Sequence, residues 1–286
     1  MRADLHTHTL RSDGLLPPAE LVHEARQAGL DCLAVTDHDS LAALDEAAEA
    51  ARELGIGLIA GAELSVRDAR GNDDHLLGFF VDPTAPALKR YLEALQESRS
   101  AMAQQTLDAL RELGLPVSAE RVAELASGAV VTRPHIARAM VEAGYVQDER
   151  EAFDRYLGSG RPAAPERPTP DHATAIATVR EAGGVAALAH PVFPRDANAA
   201  ERQAGLDERL GVLREAGLQA MECFYPDATP DLSAALVRLA ESHDLIPTGG
   251  SDYHGPGKAP FAALGEVSVD EATVARLERA RTGFRT

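Results

Sequence analysis

The chain has 286 residues, 45% of them hydrophobic and none of them Trp, and a formal net charge of −17 from 28 basic and 45 acidic residues. That length suits one large domain or two small ones around a core of Leu, Val, Ile and Ala, and a surface this acidic repels polyanions at long range, which excludes a long nucleic-acid track. Cys32 and Cys223 are the only cysteines, so a reducing compartment is expected; there is no signal-peptide core and no run of the roughly 20 apolar residues that span a bilayer, so a soluble cytoplasmic protein with no membrane contact is expected.

The first segment, "DLHTHTLRSDG", reads as a strand and a turn. Side chains two apart on a strand share a face, so His6 and His8 point together, and the turn at Ser12–Gly14 can bring Asp13 back beside them. Imidazole and carboxylate both suit metal ions, although a His-x-His pair alone is more often an unremarkable surface pair. "PPAELVHEARQAG" reads as a helix, opened by Pro17 and Pro18 and closed by Gly29. A second strand, "DCLAVTDHD", leads to a helix that Asp39 or Ser40 can cap and Gly55 ends. "IGLIAGAELSV" and "DDHLLGFFV" are the third and fourth strands, separated by the turn residues "RGNDD".

The middle of the chain reads as helical, from "APALKRYLEALQESRSAMAQQTLDALRELG" through "SAERVAELA", "RPHIARAMVEAG" and "EREAFDRYLG". The proline-rich "SGRPAAPERPTP" then reads as an extended crossing segment. Residues 100–168 are taken as a helical insertion, with 1–99 and 169–286 forming one catalytic domain. After the insertion, helices alternate with the strands "VAALAHPV", "LQAMECFYP" and "LIPTGGSDYHG". Seven strands alternating with helices indicate an α/β fold on a parallel sheet, either closed into a barrel or open and doubly wound.

Chemistry gathers at the strand ends: His38 in "TDHD", Glu63 in "GAELS", His190 in "AHP", and Asp252 and His254 in "GSDYHG". In a parallel barrel these ends converge on one mouth. His75 starts its segment, so it reaches that mouth only if its strand is short or reversed. Each residue alone could be a hydrogen-bonded structural group. Together, His6, His8, Asp13, His38, Glu63, His75, His190, Asp252 and His254 point to a metal site, and they exceed the four or so ligands of one ion, so two or three ions are expected. Of the remaining histidines, His23, His172 and His243 read as solvated helix residues.

"DLHTHTLRSDG", "AVTDHDS", "GAELS", "HLLGFF", "ALAHP" and "GGSDYHG" together resemble the PHP family, the polymerase and histidinol phosphatase phosphoesterases. The resemblance spans about 4–82 and 184–258. It implies a distorted (β/α)7 barrel and a trinuclear metal centre, with Mn²⁺ the expected ion and Zn²⁺ or Fe²⁺ alternatives. Carried over motif by motif, it gives one ion to His6, His8, Glu63 and Asp252, a second to Asp13, His38 and His190, and a third to His75 and His254 with Glu63 bridging. Asp13, His190, Asp252 and His254 are the catalytic candidates, and Asp37 is expected to orient a ligand.

Clustered divalent ions suit phosphate ester hydrolysis by in-line attack of a metal-bound hydroxide. In the insertion, Arg133 and His135 flank Pro134, and Arg133 could fork onto a phosphate, although "TRPHIARAM" also reads as a plain helix start. Arg161, beside Gly158 and Gly160, and Lys258 in "GPGKAP" are further anion-binding candidates. Within the family, the combination resembles the branch of nucleoside 3′,5′-bisphosphate phosphatases and 5′-to-3′ exoribonucleases. The acidic surface favours removal of the 3′-phosphate from a nucleoside 3′,5′-bisphosphate over trimming of a short 5′-phosphorylated RNA. A silent metal-binding PHP module is the non-catalytic alternative, and all nine ligand positions are filled. Oligomeric state, base preference and the leaving-group acid are not readable from the residues.

Overall fold

The structure, a computed structural model, describes residues 1–166, 168–191, 199–257 and 262–282. Among the described residues, seven strands carry the sheet: β1 (Arg2–Asp4), β2 (Cys32–Val35), β3 (Gly57–Arg67), β4 (Asp73–Phe79), β5 (Val185–Leu188), β6 (Ala220–Phe224) and β7 (Ile246–Gly249). An eighth, β8 (Val269–Asp270), is only two residues long, too short to show alternation in the sequence. The order is β7-β6-β5-β4-β3-β2-β1-β8. The sheet curls into a nearly closed barrel, because the chain beyond β1 meets the chain beyond β7 in a parallel bridge between Thr7 and Tyr253. This is the expected α/β barrel, with two departures. β8 runs antiparallel to β1, and β4 runs antiparallel to both β3 and β5.

The reversal of β4 settles His75. The tight turn after β3 makes a hairpin, so β4 starts where its parallel neighbours end, and Ser65 pairs with His75 at the rim.

Helices cover the outside. α1 (Pro18–Gln27) starts with Pro18 and ends at Gly29, whose φ of 76° lies in the left-handed region. α2 (Leu44–Leu54) ends at Gly55 in the same conformation. It begins later than "DHDS" implied: neither Asp39 nor Ser40 caps it, because the Asp39 carboxylate is taken by Arg99 and Ser65. α3 (Pro86–Glu112) is the long helix of the middle region, followed by α4 (Ala119–Leu125), α5 (Arg133–Glu142), α6 (Glu149–Ala152) and a π-helical turn, Phe153–Leu157. α7 (His172–Glu181), α8 (Ala199–Glu215), α9 (Pro230–Ser242) and α10 (Glu271–Thr282) complete the described helices.

The apolar faces form separate clusters. Leu88 and Leu92 of α3 pack with Leu76, Leu188 and Met221 of the barrel. Further along the same helix, Leu107 and Leu110 pack with Ile136, Met140 and Leu157 in a second core. Thus α3 belongs to both bodies, and the change of partners falls within the helix. Each fully buried Leu or Ile contributes about 1.5–3 kcal/mol relative to exposure, so this continuous helix is a strong tie between insertion and barrel.

His172 departs from the solvated reading. It is 6% exposed. Its Nε2 lies 2.8 Å from Asp74 Oδ2, which also receives Arg209 of α8, so this cluster joins β4, α7 and α8 behind His75. His243 pairs with Asp207 at 2.7 Å, while His23 is exposed as expected. Among the described residues no helix is long and apolar enough to cross a membrane.

Candidate metal centre

All nine histidines and carboxylates gather at the mouth formed by the strand ends, and their atoms fall into overlapping groups tight enough to hold ions. Glu63 joins them. One of its oxygens, Oε2, lies 3.3 Å from Nε2 of both His6 and His8 and 3.0 Å from Nδ1 of His38. The other, Oε1, lies 2.9 Å from His75 Nδ1 and 3.0 Å from His190 Nε2. Asp252 Oδ1 closes the first group, 3.4 Å from His6 Nε2 and 3.2 Å from His8 Nε2. Asp13 sits on the far side of His8, with His254 Nε2 at 3.3 Å and His38 Nε2 at 3.8 Å.

The contacts group two of the histidines differently from the distribution inferred from the family motifs. His190 lies beside Glu63, in a group with His6, and His254 lies beside Asp13, in a group with His8 and His38. Position along the chain does not give position around a barrel, and β4 and β5 bring His75 and His190 to adjacent points of the rim.

Depth is graded. The His6, His8 and Glu63 side chains are at most 1% exposed, whereas His75 and His190 are 30% and 22% exposed and form the outer wall. Close backbone packing holds the floor. A Cβ on Gly14 would lie 2.6 Å from the His8 carbonyl oxygen, and one on Gly250 would run into the His6 backbone. Asp252 itself has a φ of 50°, an uncommon conformation for a residue with a side chain.

Buried polar groups normally find hydrogen bonds. Here His6 Nε2, both ring nitrogens of His8, His38 Nδ1 and Glu63 Oε2 are buried without one, with His8 Nε2 turned toward Glu63 and Asp252 and His8 Nδ1 toward Asp13. A set of imidazole nitrogens and carboxylate oxygens left this way fits divalent cations such as Mn²⁺, Fe²⁺ or Zn²⁺. The electrostatics agree. Burial disfavours charge on His8, yet Asp252 and Glu63 outweigh it and push its pKa up to about 10. The same contest, with Glu63 as chief attractor, takes His190 up to about 9. Burial wins at His38, which falls to about 3 despite Glu63 and Asp13. Burial also opposes ionisation of Glu63, but His38, His75 and His6 hold its carboxyl well below the usual range. These carboxylates need positive charge around them, and imidazolium supplies it when no cation does.

The surrounding groups orient this set. Asp37, expected to orient a ligand, accepts from Thr9 N–H and Oγ1, both at 2.7 Å, and from Ser12 Oγ at 2.6 Å, and so shapes the turn that presents Asp13. Asp4 accepts from Ser251 Oγ at 2.6 Å and Ser251 N–H at 2.9 Å, which ties β1 to the segment bearing Asp252. Glu222 was missed in the sequence. It is fully buried on β6, places both oxygens 3.2 Å from His6 Nδ1, and accepts the His190 N–H at 2.8 Å. An acid inside the apolar strand "AMECF" was its one visible signal.

The anion-binding candidates stand apart from the cluster. Arg133 donates to Asp73 Oδ2 at 3.0 Å and to the Leu157 carbonyl at 3.3 Å. Asp73 lies two residues before His75, so this arginine borders the rim. His135 is 2% exposed, and its Nδ1 accepts the Thr132 N–H at 3.0 Å, closing the first turn of α5. Arg161 is exposed, its backbone N–H donating to Gly158. Lys258 lies outside the described residues, as do Val192, at the end of the strand "VAALAHPV", and Arg167 of the crossing segment.

Residues 4–156 match the PHP domain. A 5′-3′ exoribonuclease of Haemophilus influenzae is 38% identical over 253 residues, 88% of this chain and 90% of that protein. A 3′,5′-nucleoside bisphosphate phosphatase of Chromobacterium violaceum is 33% identical over 264 residues, 89% of this chain and 88% of that protein. Among solved structures, a protein of Bifidobacterium adolescentis assigned as a metal-dependent phosphoesterase superposes with a TM-score of 0.87 at 32% identity, covering 97% of this chain and 96% of that one.

Proposed function

The chain belongs to the PHP domain family and is a metal-dependent phosphoester hydrolase, and on that footing we propose that it removes the 3′-phosphate from nucleoside 3′,5′-bisphosphates to give the 5′-nucleotide and inorganic phosphate. The observation that carries this reading is the two-sided use of Glu63, whose oxygens face His6, His8 and His38 on one side and His75 and His190 on the other. A carboxylate so shared suits adjacent cations at one phosphoryl group.

His6, His8, Glu63 and Asp252 would hold one ion, Glu63, His75 and His190 a second, and Asp13, His38 and His254 a third, with Mn²⁺ the favoured metal. Bound there, divalent cations lower the pKa of a water and offset charge on the phosphoryl oxygens. The chain's residues do the rest. The partly exposed His75 and His190 border the substrate's path, and the buried His6 and His8 exclude bulk water from the floor. Glu222 and Asp4 fix the orientation of that floor. Arg133 at the rim, with Arg161 of the insertion and the sequence candidate Lys258, would grip the 5′-phosphate. His135 braces the start of α5 that presents Arg133 rather than touching the substrate.

The net charge of −17 favours a small substrate, since a long RNA would need basic tracks beyond the pocket. The second reading, 5′-to-3′ trimming of short 5′-phosphorylated RNA, draws support from the 38% identity to the Haemophilus enzyme. The two are separated by one experiment. Protein loaded with Mn²⁺ is given adenosine 3′,5′-bisphosphate and, in parallel, a short 5′-phosphorylated RNA, and phosphate release and product length are followed. Fast release with slow trimming supports the phosphatase. Efficient stepwise trimming with slow release replaces it with the exoribonuclease.

A further inference from the structure

α3 reaches the wall of the metal centre through one buried contact. Asp39 immediately follows His38 and adopts a φ of 51°, a left-handed conformation that must be held by its surroundings. Its carboxylate is fully buried and accepts from Arg99 Nε at 2.6 Å, from the Ser65 N–H at 2.7 Å and from Ser65 Oγ at 2.9 Å. The other end of the Arg99 fork donates to Ser65 Oγ at 2.7 Å. Gln96, one turn earlier on α3, donates to the Asp39 carbonyl at 2.9 Å. The Asp39 N–H in turn donates to the Glu63 carbonyl at 2.9 Å. One cation from α3 therefore secures the residue after His38, and also secures β3 two residues beyond Glu63.

We propose that Arg99, assisted by Gln96, is a positioning residue for the metal centre. It holds the His38–Asp39 turn against β3, so that His38 Nδ1 and Glu63 Oε2 meet at the 3.0 Å seen here. Its planar fork matches the arrangement: one nitrogen serves the carboxylate, another the hydroxyl that the carboxylate also binds. Without Arg99, the Asp39 carboxylate loses a buried cationic donor and the strained turn loses its brace. Arg99 lies between Leu95 and Met102 on α3, where the helix passes from the barrel to the insertion core, so the docking of the insertion and the geometry of His38 are set by the same side chain.

This inference rests on the reading of the cluster as a metal centre, and its test needs no substrate. Co²⁺ is titrated into the metal-free chain and into Arg99→Met, Arg99→Lys and Gln96→Ala, following the visible absorption of the bound ion and the metal content after dialysis. Arg99→Met is expected to weaken Co²⁺ binding by about 10–100-fold at the position that includes His38, with an altered spectrum. Arg99→Lys restores part of the loss, because an ammonium keeps the charge without the fork. Gln96→Ala gives a smaller loss in the same direction. A melting curve reports whether each variant folds. If Arg99→Met does not, Arg99→Lys and Gln96→Ala decide. Binding as tight as that of the unaltered chain, with the same spectrum, in every folded variant overturns the proposal. An unaltered chain that binds Co²⁺ but leaves bisphosphates intact overturns the proposed function and leaves this assignment standing.

Discussion

Glu222 grips His6 from behind, with both carboxylate oxygens 3.2 Å from Nδ1, while one of the same oxygens accepts the His190 N–H at 2.8 Å. A single acid on β6 thus sets the ring of one metal-facing residue and the backbone of another. Glu222→Gln keeps the shape and removes the charge. Metal affinity and kcat/KM are expected to fall by about 10–100-fold with the fold intact, measured by metal titration and initial rates.

The regrouping of His190 and His254 is open to direct test. His75→Ala and His190→Ala are expected to lose the same ion, and Asp13→Ala and His254→Ala a different one. Metal counts and anomalous scattering from crystals of the four variants would show which position empties. Loss of turnover by several orders of magnitude should accompany each. A shared vacancy in the His190 and Asp13 variants would restore the distribution read from the motifs.

The raised histidines make the stability of the metal-free chain depend on pH. His8 is pushed up to about 10 and His190 up to about 9, each favoured in its charged form by buried carboxylates. A folded-state pKa above the unfolded value of about 6.5 contributes stability that is fully present below pH 6.5 and lost as pH rises through about 9–10. Melting temperatures of the metal-free chain should therefore drop between pH 7 and 10. A saturating divalent ion replaces those protons, so the loaded protein should lose less over the same window and release protons when it binds.

Gly250 leaves no room for a side chain. A Cβ there meets the backbone of His6 rather than a movable side-chain tip. Gly250→Ala should cost about 1–3 kcal/mol in denaturant unfolding and disturb metal binding, because the segment carrying His6, just beyond the end of β1, must shift.

Arg133 borders the rim but is paired with Asp73. If it grips a remote phosphate, that anion replaces Asp73 as its partner. Arg133→Ala is expected to raise KM for a bisphosphate roughly tenfold, the worth of one charge-assisted contact, with a smaller change in kcat. Unchanged KM and kcat would remove Arg133 from the substrate's path.

The contents of the mouth were readable because parallel strands end on one rim, so "THT", "TDHD", "GAELS", "AHP" and "GSDYH" had one place to converge. The reversal of β4 was flagged only by the position of His75 within its segment. Other features depend on the order of strands around the barrel, which no local pattern encodes. The pairing of His190 with His75 is one. The burial of His172 against Asp74 and Arg209 is another, because a histidine at a helix start looks the same whether it faces water or a neighbouring strand. Glu222 and Arg99 were hidden for a related reason: each is a charge inside an otherwise ordinary element, and its partners lie far away in sequence.

That distance governs when the site can come into being. The bridge between Thr7 and Tyr253 and the bonds from Asp4 to Ser251 join opposite ends of the barrel, the latter across 247 residues. At ribosomal rates of about 5–20 residues per second, His6 and His8 wait on the order of ten to fifty seconds for Asp252 to be made. Contacts of such long range are slow to form and reward the chain only once both ends have met. The first strand therefore has no finished site to enter until the last one arrives, and capture of a cation there would act as a latch on a completed barrel rather than as a seed for its folding.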